Sequence, residues 1–133
     1  MSKNVLVVDD EAHILHVVSM KLRNAGYAVT TAMDGEEALE LCRAEPPDLL
    51  ITDYQMPLLS GVELCKALRR NEQTRDIPAI MLTARGFDID AEETRQAGIT
   101  VVLSKPFSPR EMRRAVDDLL NNGHDARGAG VMR

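Results

Sequence analysis

Five side chains in the sequence are of types that bind hard cations and handle phosphoryl groups: Asp9, Asp10, Asp53, Thr83 and Lys105. Each sits at the end of a short run of apolar β-formers. Asp9 and Asp10 follow "NVLVV" (4–8), Asp53 follows "DLLIT" (48–52), Thr83 ends "IPAIMLT" (77–83) and Lys105 follows "ITVVLS" (99–104). Two like charges about 4 Å apart repel by roughly 4 kcal/mol near a protein surface, so acids gathered at one place need compensation. Taken alone, the Asp9-Asp10 pair is explained by helix capping, since Asp is a favoured N-cap. Taken together, three carboxylates with no His or Cys beside them suit Mg²⁺ or Mn²⁺. A carboxylate next to such a cation can attack phosphorus and form an aspartyl phosphate, with a lysine and a hydroxyl neutralising the equatorial oxygens. Asp53 stands alone at its strand end and is the candidate nucleophile. Asp9 and Asp10 then share the metal, and Thr83 and Lys105 contact the phosphoryl group.

The surrounding pattern must bring these ends together. After the strand at 4–8, Ile14, Val18 and Leu22 mark a helix stopped by "NAGY", with Gly26 as its C′ residue. A strand at 27–32 and a helix at 34–45 follow, the latter opened by Asp34 as N-cap and closed by Pro46 and Pro47. Further on the spacing predicts a strand at 48–52, a helix at 62–70, a strand at 77–83, a weak helix spaced by Ile89, Glu93 and Ala97, a strand at 99–104, and a helix from Ser108 to Leu120. That last helix buries Met112, Val116, Leu119 and Leu120. Five strands alternating with five helices predict an α/β domain, a doubly wound parallel sheet with helices on both faces. In such sheets ligands sit beyond the carboxyl ends of the strands, at the topological switch point, so the five residues converge if strands one and three are neighbours.

Composition narrows the function. The 133 residues suit one domain, 1–121, with a flexible, Gly-rich tail or linker start at 122–133. A net charge of -5 and only 3% aromatic residues argue against direct nucleic-acid binding. No apolar run approaches the roughly 20 residues of a membrane span, and the N-terminus lacks a signal-peptide pattern, so a cytoplasmic location is expected. Cys42 and Cys65 lack CxxC spacing and read as packed, reduced thiols.

The strings "VLVVDDE", "DLLITDYQMPLLSG", "IPAIMLTA" and "VLSKPFSPREM", in this order, make the chain from residue 4 to about 120 resemble a receiver domain of the two-component response-regulator family. The resemblance implies a flavodoxin-like five-stranded parallel sheet of order 2-1-3-4-5 flanked by five helices. It also implies a phosphoacceptor that catalyses only its own phosphorylation and dephosphorylation, and no external-substrate enzyme. On the matching positions Asp53 is the phosphoacceptor, Asp10, Asp53 and the Gln55 carbonyl bind Mg²⁺ directly, and Asp9 helps through water. Thr83 and Lys105 are the phosphate-contacting pair, and the bond before Pro106 is cis. Implied partners are a histidine kinase or histidine phosphotransfer protein and a downstream protein target, with the domain itself a monomer or weak dimer. Val102 departs from the pattern, since relatives carry an aromatic ring there that turns inward as the threonine follows the phosphate. Gln55 and Arg85 occupy positions that tune phosphoryl lifetime in the family.

Two rivals come from other classes. A Mg-dependent phosphatase with an aspartyl-phosphate intermediate uses a second Asp two residues after the nucleophile, where this chain has Gln55. A flavodoxin-like cofactor module needs a Gly/Ser/Thr-rich loop after the first strand, where this chain has "DDEAH". Elsewhere, His13 and His16 read as a solvated helix face, Tyr27 as core, and Tyr54 as packing under a loop or rimming the pocket. Asp88, Asp90, Glu92 and Glu93 oppose Arg110, Arg113 and Arg114 in a split that reads as solvated surface before it reads as a dimer contact.

Overall fold

The computed structural model describes residues 2–84 and 89–121. Arg85, Asp88 and the segment 122–133, on which three of the expectations above fall, lie outside the described residues. Strands β1 (Asn4–Val8), β2 (Ala28–Ala32), β3 (Leu49–Asp53), β4 (Ala79–Thr83) and β5 (Ile99–Ser104) alternate with helices α1 (Ala12–Asn24), α2 (Gly35–Ala44), α3 (Gly61–Arg69), α4 (Ala91–Gln96) and α5 (Pro109–Asn121). All strand pairs are parallel and the order is β2-β1-β3-β4-β5, so the expected topology holds.

The sheet separates two apolar layers. Val5, Val7, Leu49, Ile51, Ile80 and Leu82 point toward α1 and α5, where they meet Leu15, Val18, Leu22, Met112, Val116 and Leu119. Leu6, Val8, Leu50, Ala79 and Met81 point the other way, onto Cys42, Leu64, Cys65 and Leu68. Strands buried on both faces must be apolar at every position, which is why β1, β3 and β4 read as continuous runs. The edge strand β2 is largely exposed and keeps Thr30 and Thr31.

A register shift interrupts the β4–β5 pairing: Ala79 faces Ile99 but Ile80 faces Val101. The extra residue, Thr100, reverses the alternation, so Ile99 and Val102 belong to one layer while Val101 and Leu103 belong to the other. Downstream of the shift, Lys105 stays in phase with Val101 and Leu103. Asp9 and Asp53 are likewise in phase with Val5 and Val7, and with Leu49 and Ile51. Their three side chains therefore leave the sheet edge on the same side.

Local signals account for most boundaries. The Asp34 carboxylate accepts the Glu37 amide at 2.8 Å, and Ser60 with Glu63 forms a reciprocal capping box at the start of α3. Gly26 follows α1 with φ of 98°, as its C′ assignment required. The expected fourth helix is shorter than the spacing suggested. Asp90 caps it, so Ile89 lies before it and Ala97 is its C-cap. The buried stripe of α1 runs through Leu15, Val18, Ser19 and Leu22, with Ile14 only partly covered, and Leu120 of α5 is also partly covered.

Candidate functional site

Strands β1 and β3 are neighbours, with Val8 opposite Thr52, so Asp9 and Asp53 leave the sheet at the same level. One oxygen from each of Asp9, Asp10 and Asp53 lies within 4.8 Å of the others. Asp9 is fully buried, Asp53 nearly so, and Asp10 faces solvent. Neither Asp9 nor Asp10 is an N-cap: that position belongs to Glu11, whose side chain caps nothing, while Asp9 Oδ1 accepts the Glu11 amide at 2.9 Å. The capping explanation of the acid pair therefore fails.

Lys105 enters from β5. Its amide donates to the Thr83 carbonyl at 2.7 Å, and the Lys105–Pro106 bond is cis, as expected. Its ammonium lies 3.1 Å from Asp9 Oδ2, 3.1 Å from Asp53 Oδ1 and 2.9 Å from Glu11 Oε1. Thr83, in register with Ser104, is buried at the end of β4, the strand beside that of Asp53. Below the site, α3 begins against the strand that carries Asp53. Gly61 donates to the Tyr54 carbonyl at 2.9 Å, and a Cβ on Gly61 would collide with the Asp53 carbonyl oxygen. Only glycine permits that approach.

The electrostatics are those of a site short of positive charge. Burial and the neighbouring charge of Asp9 push the Asp53 carboxyl up to about 6, even with Lys105 beside it. Burial likewise raises Asp9, against the opposing pull of the Glu11 amide and Lys105. Burial works against the Lys105 ammonium, but hydrogen bonds to Glu11 and Asp9 and the charge of Asp53 outweigh it and hold the group protonated. One ammonium cannot balance the three cluster carboxylates and Glu11. An all-oxygen, under-neutralised donor set fits a hard divalent cation.

The structure thus assembles Asp9, Asp10, Asp53 and Lys105, with Thr83 ending the adjacent strand and Gln55 exposed two residues beyond Asp53. Tyr54 is half-buried against the α2/α3 layer and Val102 packs partly covered in the same layer. His13 and His16 are exposed. Tyr27 packs on the α1/α5 layer with its hydroxyl donating to Asp117. Both cysteines are buried free thiols, pushed up by burial to about 11 for Cys42 and about 12 for Cys65. Several charges of α4 and α5 find partners within the chain: Glu92 with Arg95, Glu93 with Lys66, and Arg113 with Asp117. Sequence reasoning missed Glu11 and Gly61. Its available signals were a Glu at an N-cap position and a Gly three residues after Leu58 in the loop following Asp53.

Comparison with known proteins bears on the family and the fold. The response regulator receiver domain family matches residues 5–117. The alkaline phosphatase synthesis transcriptional regulatory protein PhoP of Bacillus subtilis is 40% identical over 133 residues, covering 100% of this chain and 55% of its own length. The chain spans about half the length of the curated relatives it matches. Among solved structures, the chemotaxis response regulator CheY4 of Vibrio cholerae superposes with a TM-score of 0.84 at 37% identity, covering 90% of this chain and 100% of that one. The receiver domain of a sensor histidine kinase from Pseudomonas aeruginosa, with a magnesium ion coordinated in its active-site cleft, gives 0.83 at 30% identity, covering 91% and 99%.

Proposed function

The chain belongs to the response regulator receiver domain family, and from that premise we propose that Asp53 accepts a phosphoryl group from a histidine kinase or histidine phosphotransfer protein in a Mg²⁺-dependent reaction. Asp10, Asp53 and the Gln55 carbonyl, with Asp9 helping through water, would hold Mg²⁺ or Mn²⁺, which would supply positive charge to the phosphoryl oxygens. An Asp53 oxygen forms the new bond to phosphorus as the bond to the donor nitrogen or acyl oxygen breaks, and the leaving group departs with its electron pair. Asp53 must be ionised to attack, and burial and the neighbouring Asp9 oppose that ionisation until positive charge enters the site. Lys105 donates to one phosphoryl oxygen and the Thr83 hydroxyl to another. Hydrolysis of the acyl phosphate later returns the free carboxylate, so the domain acts on itself and switches the binding of a downstream protein.

The observation carrying this reading is the ammonium of Lys105 held at 3.1 Å from both Asp9 and Asp53 inside the acidic cluster. The phosphatase rival lacks its general acid, because Gln55 stands where an Asp is needed. Intact-protein mass spectrometry after incubation with Mg²⁺ and acetyl phosphate tests the proposal. A gain of one phosphoryl group that needs Mg²⁺, decays with time and vanishes in Asp53→Asn is expected. No adduct on the native chain, with Mg²⁺ binding established separately, refutes it.

A further inference from the structure

We propose that Thr52 is a positioning residue for the metal site: its buried hydroxyl fixes the peptide that aims the Asp53 carboxylate and leads on to the Gln55 carbonyl. The inference rests on the Mg²⁺-binding part of the function proposed above. Thr52 is 0% exposed and runs in phase with Leu50, on the apolar α2/α3 side of the sheet. A hydroxyl buried among apolar side chains is costly unless it is bonded. Here Thr52 Oγ1 donates to the Asp53 carbonyl at 3.0 Å, with the Met56 sulfur beside it at 3.9 Å.

The surroundings of that carbonyl give the bond its importance. The β1–β3 pairing ends at Val8 and Thr52, so the ladder on that side stops one residue short of Asp53. Thr52 supplies a donor where the ladder has run out. Within the same peptide unit, the Tyr54 amide donates to the Leu82 carbonyl at 2.9 Å, so β4 holds one end of the plane and Thr52 the other. The Gly61 amide then holds the Tyr54 carbonyl at 2.9 Å, and the backbone of Gly61 closes the space beside the Asp53 oxygen. Without the hydroxyl, a buried carbonyl loses its donor and the peptide tilts about the Leu82 bond to find another. That tilt turns the Asp53 carboxylate and displaces the path to Gln55, the two groups expected to face one cation. Groups behind a ligand set metal affinity by fixing its orientation.

The test measures Mg²⁺ affinity by amide NMR titration with MgCl₂ in the native chain, Thr52→Val and Thr52→Ser. Val keeps the volume and removes the hydroxyl; Ser keeps the hydroxyl and removes a methyl. Thr52→Val should bind Mg²⁺ about three- to tenfold more weakly, the factor one hydrogen bond is worth, and Thr52→Ser should stay near native. A purely packing role gives the opposite order, because a methyl lost from the core costs more than a change at constant volume. Thr52→Ala, which differs from Thr52→Ser only by the hydroxyl, repeats the comparison at smaller volume and should bind as weakly as Thr52→Val. In acetyl phosphate, the Mg²⁺ concentration giving half the maximal labelling rate should rise in Thr52→Val by the same factor as the affinity falls. Native Mg²⁺ affinity in Thr52→Val and Thr52→Ala, or an affinity in Thr52→Ser as weak as theirs, overturns the role of Thr52 alone. A native chain that binds no Mg²⁺ overturns the metal-assisted reading and the role of Thr52 together.

Discussion

Removing the charge of Asp53 should stabilise the metal-free domain. In the fold its carboxyl is pushed from 3.8 to about 6 by burial and by Asp9. A raised carboxylate pKa means the folded state binds the proton more tightly than the unfolded chain does. The associated stability is fully present below about pH 4 and is lost as pH rises through about 6. At about 1.36 kcal/mol per unit, a rise of roughly two units sets an upper bound near 3 kcal/mol at neutral pH. Asp53→Asn mimics the neutral form while keeping an oxygen that accepts from Lys105. We expect a gain of about 1 to 3 kcal/mol at pH 7.5 in EDTA, which for a domain of this size is a rise in Tm of roughly 4–12 °C. Thermal and urea unfolding of both proteins from pH 5 to pH 7.5 read this directly, and the gap should narrow toward pH 5 as the native carboxyl takes up its proton. Saturating Mg²⁺ should stabilise the native chain more than the variant, since only the native site keeps all three carboxylates. An Asp53→Asn domain no more stable than native at pH 7.5 in EDTA, or an advantage that does not depend on pH, would refute the charge-deficit account.

Other residues give sharper structural outcomes. Ser19 is buried in α1 with its hydroxyl unpartnered, so Ser19→Ala should raise the urea midpoint, by about 0.5 to 1 kcal/mol in stability. Gly61→Ala should cost about 2 to 3 kcal/mol and slow phosphorylation, because its new methyl displaces the Asp53 backbone; calorimetry and the acetyl phosphate assay check both. Arg69 donates to the carbonyls of Arg75 at 2.7 Å, Ala97 at 2.8 Å and Gly98 at 3.2 Å, tying α3 to the segment before β4 and to the turn before β5. Arg69→Met should cost about 2 to 3 kcal/mol and raise hydrogen exchange around Gly98, with exchange at β1 following only the global change.

The residues legible in the sequence share one property: their position along the chain is also their position in space. A parallel sheet puts every strand's carboxyl end on one edge, so Asp9, Asp53, Thr83 and Lys105 could be placed together by counting strands. The helices were legible for a related reason, since capping at Asp34 and the Gly26 stop are local. What escaped depended on contacts made across the chain. Glu11 looked like one more acid after Asp10, and its value appears only when Lys105, 94 residues away, is found 2.9 Å from it. Gly61 looked like loop composition until the Asp53 carbonyl was seen to occupy the space of its missing Cβ. The shift at Thr100 is the clearest case. The pattern "ITVVLS" gives no sign that its alternation reverses, yet the reversal lets Ile99 and Val101, two residues apart, pack in opposite layers. Val101, Leu103 and then Lys105 run in one phase, which delivers the ammonium to the side of the sheet edge where Asp9 and Asp53 emerge. Removing Thr100 would force a choice between losing Ile99 from the α2/α3 layer and turning Lys105 away from the carboxylates. The bulge is thus part of the site's geometry although it lies five residues from the lysine it aims.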